Sequence, residues 1–165
     1  MNLAKYQTEA AVTICCDDKK DMAIHAVLGL VAEMGEFLNA LCFDKPEHIQ
    51  KEIGDVCWMI AELCTANTWK MQDVVSLEGY DKAEANPSAL DDLCGIYQKT
   101  FQGHGVNEDR VKLCIRQVWA LLMNCCATQE WWMPDLLDMN INKLRKRYPE
   151  GFKAENSLHR AEGDI

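Results

Sequence analysis

Between residues 22 and 43 apolar side chains return every three or four positions, with Ala26, Leu30, Met34, Phe37 and Leu41 falling on one helical face. That period is incompatible with the two-residue repeat of a strand, and no stretch of the chain alternates apolar and polar residues over strand length. The fold class is therefore read as all-α, a helical bundle. The same periodicity predicts helices over residues 3–16, 46–67, 88–102 and 107–128. A last helix is opened by Pro134 and stopped by Pro149 and Gly151. The breaks are chemical: the polar cluster Asp17-Asp18-Lys19-Lys20, the turn Asp44-Lys45-Pro46, Asn86-Pro87-Ser88, and Gly103-His104-Gly105. Pro46 suits a first helical turn, and Asn107 is placed to cap the helix that follows it. Residues 70–86 read as a short helix and loop. The domain is expected to span 1–152, followed by a polar, loosely ordered tail at 153–165.

A shift of 62 residues lays Leu28, Ile53, Val56 and Cys64 over Leu90, Ile115, Val118 and Cys126. This raises the expectation of a degenerate internal repeat of one helical hairpin, although any two amphipathic hairpins can be aligned in this way.

Composition narrows the function. With 48% hydrophobic and 26% charged residues the chain has the balance of a globular protein. A formal net charge of -9 argues against binding a nucleic-acid polymer, which requires a surplus of Lys and Arg. A small polyphosphate remains compatible if metal ions supply the positive charge. The nine cysteines include no Cys-x-x-Cys pair, which is poor zinc spacing, and their odd number leaves one over in any disulfide scheme. They read as reduced core residues, which points to a cytoplasmic location. MNLAKYQTEAAV has no basic segment followed by an apolar run, so no secretory signal is expected. No apolar run approaches the roughly 20 residues of a span, so no membrane partner is expected either.

The segment with most chemistry is Glu33-Met-Gly-Glu36 followed by Glu52-Ile-Gly-Asp55. Each pair is spaced i, i+3, which puts its carboxylates on one helix face, and the short connection makes the two helices antiparallel neighbours. Four carboxylates at one level repel each other unless cations fill the site, and hard oxygen donors favour Mg2+, with Mn2+ as a substitute. The competing reading is a solvated acidic face. Against it stand the apolar residues that crowd the acids, Leu28, Leu30, Val31, Phe37, Val56 and Ile60 among them. Gly35 and Gly54 each cost a helix about 1 kcal/mol relative to Ala, a cost that a close approach of helix or substrate would offset.

With these residues the chain resembles the MazG-like members of the all-alpha nucleoside triphosphate pyrophosphohydrolase superfamily, which also contains the dimeric dUTPases. The resemblance lies in LGLVAEMGEF at 28–37, EIGDVCWMIAEL at 52–63 and NINKLRKRYPEGF at 140–152, about a fifth of the chain. It implies a helical bundle of the NTP pyrophosphatase type in which Glu33, Glu36, Glu52 and Asp55 hold Mg2+ and carry catalysis. It further implies that Asn140 and Lys143, with Arg147 and Tyr148, contact the triphosphate, and that Trp58 lines a base pocket. The expected reaction is hydrolysis of a nucleoside triphosphate, a deoxy or non-standard one, to the monophosphate and pyrophosphate, in a homodimer or higher oligomer. Two departures stand out. Many relatives carry Lys-Lys shortly after the first acidic motif, where this chain has Cys42-Phe43, and the helices over 88–128 exceed a minimal member. The extra pair would supply within one chain what shorter relatives obtain by dimerising.

Independently of the family, Lys143 and Arg147 share a helix face, with Ile141, Leu144 and Tyr148 turned inward. The basic run Lys143 to Arg147 also suits a solvated helix C-terminus. Trp58 is equally readable as core, Trp131-Trp132 as a cover for a pocket or an interface, and Glu62 as an outer acid or a solvated one. His25, His48, His104 and His159 form no nucleophile arrangement that spacing reveals, and His48 reads as exposed. The competing functions are a narrower dUTPase or dCTPase-like enzyme, and a catalytically silent helical protein that binds nucleotide or metal. A di-iron bundle lacks its Glu-x-x-His pairs here.

Overall fold

The computed structural model describes residues 1–43, 45–78 and 84–158, without the side chains of residues 157 and 158. The described residues form helices α1 (Leu3–Ala11), α2 (Lys19–Phe43), α3 (Pro46–Ala66), α4 (Met71–Val74), α5 (Ala89–Thr100), α6 (Glu108–Thr128), α7 (Met133–Arg147) and α8 (Ala154–Leu158). The architecture is all-α, as the periodicity requires, and no strand occurs among the described residues. The α1 helix stops five residues before Cys16, because residues 12–18 leave the helix to cross from α1 to α2. Asp44 and His159 lie outside the described residues, as does most of the expected tail. Residues 154–158 are helical rather than loosely ordered, and Asn156 Nδ2 donates to the Arg147 carbonyl at 2.8 Å.

The centre of the fold is the hairpin of α2 and α3. Its antiparallel sense is visible in side-chain pairings: His25 meets Glu62, Gly29 faces Met59, and Glu33 and Glu36 lie by Glu52. Ala26, Leu30, Met34 and Phe37 are buried as the stripe predicts, but Leu41 lies near the end of α2 and is exposed. On the other side, Leu28, Val31 and Leu38 leave an apolar face of α2 in contact with solvent. An 18-residue window of α2 reaches a mean hydropathy of 1.5, so by length and composition the helix is apolar enough to cross a membrane. The window reaches that mean across Glu33 and Glu36, since the stretch free of charged residues ends at Ala32.

α1 and α7 pack on α3, while α5 packs on α6 and also touches α2. Gly54 makes the α3 to α7 contact close: a Cβ there would sit 2.8 Å from Asn140 Cβ. Gly35 has no atom within 4 Å of such a Cβ, so close approach of a helix accounts for Gly54 and not for Gly35. Asn107 caps α6 as expected, accepting from Arg110 N at 3.1 Å. Shifted by 62 residues, the bounds of α3 fall on those of α6, and Val111, Cys114, Ile115, Val118 and Trp119 are buried where their counterparts are.

The nine cysteines are free thiols. Cys57, Cys64, Cys114 and Cys126 are buried, and burial pushes the Cys64 and Cys126 thiols up to about 12, as suits inert core residues.

Candidate metal and phosphate site

A cavity of about 300 Å³ opens where α2, α3 and α7 meet the α1 to α2 connection. The i, i+3 spacing puts Glu33 and Glu36 on the α2 wall, and Glu52 faces them from α3. Ligand oxygens of these three carboxylates lie within 4.8 Å of one another. Glu52 is almost fully buried, with Oε1 2.7 Å from His48 Nε2, so His48 is a partner of the site rather than an exposed bystander. Its Oε2 is buried with no hydrogen-bond partner. A carboxylate oxygen left bare among two other carboxylates is costly unless a cation completes it. Three hard oxygen donors with one orphaned atom therefore fit a divalent cation of the Mg2+ class.

Electrostatics agree with that fit. Glu33 is raised from 4.5 to about 7, first by burial and then by the charges of Asp55, Glu36 and Glu52, with Lys143 acting in the opposite direction. Glu52 is raised as well, by burial first and then by Asp55 and Glu36. A bound cation would oppose both shifts, since its charge favours the ionised carboxylates.

Asp55, the fourth acid, has different company. Both its oxygens lie 2.6 Å from Lys143 Nζ, and Oδ1 also accepts from Asn140 Nδ2 at 3.0 Å. Asn140 is buried, accepts from Tyr6 Oη at 2.8 Å, and does not line the cavity. It therefore orients Asp55 rather than facing a ligand. Lys143, Arg147 and Tyr148 do line the cavity, as do Asp55 and Trp58. Trp58 is half-buried, packs against the core and also borders the cavity, with Nε1 donating to Thr13 Oγ1 at 2.9 Å. Trp131 packs against the core and Trp132 is exposed, and neither borders the cavity.

Sequence reasoning missed a second group at the same cavity. His25 Nδ1 lies 2.9 and 3.0 Å from the two oxygens of Glu62, which is fully buried and so not a solvated acid. Cys15 Sγ lies 3.8 Å from His25 Nε2 and 3.6 Å from Cys16 Sγ. Burial pushes the Cys16 thiol up to about 11, helped by Cys15, Glu62 and Asp21. One signal was available: His25 is eight residues before Glu33 and Glu62 seven after Asp55, so each shares a helix face with the acids.

Comparison of the chain with protein-family models, with curated proteins and with solved structures returns no match.

Proposed function

We propose that this chain hydrolyses nucleoside triphosphates, deoxy or non-standard ones, to the monophosphate and pyrophosphate with Mg2+. The observation that carries the reading is Glu52 Oε2, a buried and unpartnered carboxylate oxygen, converging with Glu33 and Glu36 across a cavity from Lys143 and Arg147. An acidic cage facing cationic side chains is the arrangement that phosphoryl chemistry uses.

Glu33, Glu36 and Glu52 would hold the cation, with Asp55 joining them once Lys143 turns to a phosphate. Bound Mg2+ supplies charge neutralisation on the triphosphate and a water of lowered pKa. Lys143 Nζ and Arg147 bind phosphate oxygens, and Tyr6 and Asn140 keep Asp55 in register. A carboxylate of the cage accepts the proton of the attacking water. Trp58 offers a flat apolar surface to the base. A homo-oligomer is part of the same proposal, supported by the exposed apolar face of α2.

A second reading draws on the closed pair of Lys143 with Asp55, which occupies both oxygens of the fourth acid. In that reading the protein binds metal or nucleotide without turnover. A panel of canonical and non-standard NTPs and dNTPs with Mg2+, resolved by ion-exchange chromatography, separates the two. Monophosphate and pyrophosphate that vanish with EDTA support the hydrolase; no turnover with metal still bound supports the silent protein.

A further inference from the structure

We propose that Cys15, Cys16 and His25 form a second metal site, for a thiophilic divalent cation of the Zn2+ class, with Glu62 orienting the imidazole. The site is independent of the role given to the acidic trio. Its donors come from the α1 to α2 connection and from α2, and the orienting carboxylate comes from α3. One donor atom from each of Cys15, Cys16, His25 and Glu62 lies within 4.8 Å of all the others.

The spacing is that of a coordination polyhedron. Zinc bound to sulfur at about 2.3 Å and to nitrogen at about 2.0 Å in a tetrahedron separates neighbouring donors by roughly 3.5–3.8 Å. The Sγ to Sγ separation is 3.6 Å and the Cys15 Sγ to His25 Nε2 separation is 3.8 Å. The two adjacent sulfurs meet where the backbone leaves the helix, since residues 14–17 carry no regular secondary structure between α1 and α2.

Glu62 provides the second, separate observation. Its side chain is completely buried, and both carboxylate oxygens point at His25 Nδ1. A neutral ring that donates from Nδ1 to this carboxylate presents its Nε2 lone pair to Cys15. Metal-ligating histidines are commonly oriented by a carboxylate in this way. Trp58 stands edge-on to the imidazole, with ring centres 6.3 Å apart at 89°, and restricts the ring's rotation. Thiolate and imidazole donors select Zn2+ over Mg2+, so the two sites differ in chemistry although Cys15, His25 and the acids border one cavity. Binding releases the thiol protons to solvent and ties the α1 to α2 connection to the hairpin.

The test is a Co2+ titration of the reduced, EDTA-stripped, full-length protein. The expected result is a thiolate-to-cobalt charge-transfer band with intense visible bands, saturating at one equivalent, displaced by Zn2+ and insensitive to excess Mg2+. The double variant Cys15→Ser with Cys16→Ser should lose these bands and keep its helical circular dichroism. Glu33→Gln should retain them. Glu62→Gln should bind Co2+ roughly 10–100-fold more weakly with the band shape preserved, a change that a purely packing role would not produce. Absence of the charge-transfer band in the wild-type protein overturns the proposal. So does a band retained by the double variant, Cys15 and Cys16 found joined to each other, or alkylation of Cys15 at a rate that Co2+ does not slow.

Discussion

In the metal-free protein, Glu33→Gln should raise stability, and the gain should depend on pH. The substitution keeps shape and helix propensity nearly constant and removes one ionisable group. Glu33 is raised from 4.5 to about 7, mainly by burial and then by three neighbouring carboxylates. A group whose pKa is raised on folding favours the folded state below its unfolded pKa, and that stability is lost as pH rises through the folded value. At 1.36 kcal/mol per pKa unit, the rise corresponds to about 3 kcal/mol between the two protonation states. Glu33 borders a water-accessible cavity, and screening reduces the net effect to about 1–2 kcal/mol. Below pH 4.5 the two proteins should therefore match, and above about pH 7.5 in EDTA the variant should be the more stable. For a chain of this length the gain equals roughly 2–8 °C in Tm. Millimolar Mg2+ should cancel or reverse the difference, because only the intact cage gains the free energy of ion binding. Urea unfolding across this pH range, with EDTA and with Mg2+, measures each term. A variant that is less stable than wild type at high pH in EDTA, or a difference that does not change with pH, would refute the electrostatic account of the cage.

Glu36→Gln should abolish triphosphate turnover while leaving the circular dichroism helical, and full activity in that variant would remove the cage from catalysis. The two helical glycines should respond oppositely to alanine in thermal unfolding. Gly54→Ala drives a methyl into Asn140 and should cost about 1–3 kcal/mol, with loss of activity as α7 shifts. Gly35→Ala meets no atom and should gain up to about 1 kcal/mol. Lys143→Met removes the cation that lowers Glu33 and pairs with Asp55, so the fall of metal-free stability should move to higher pH and triphosphate affinity should drop, both readable by titration.

By itself the sequence determined the helical class, most helix bounds and the core faces, because a 3.6-residue period, Pro and Gly punctuation and an Asn cap are local properties written in consecutive residues. It also determined that Glu33, Glu36 and Glu52 converge, since i, i+3 pairs on two helices with a short connection leave little freedom in where they point. Only the tertiary structure decided which company each acid keeps. Asp55 is bound by Lys143 and Asn140, and His48 by Glu52, through contacts across helices or along a face that sequence spacing leaves ambiguous between solvent and site. The burial of Glu62 against His25, and the meeting of both with Cys15 and Cys16, depend on how residues 12–18 cross the hairpin. That path is set by packing between elements far apart in the chain, and no periodicity in consecutive residues encodes it.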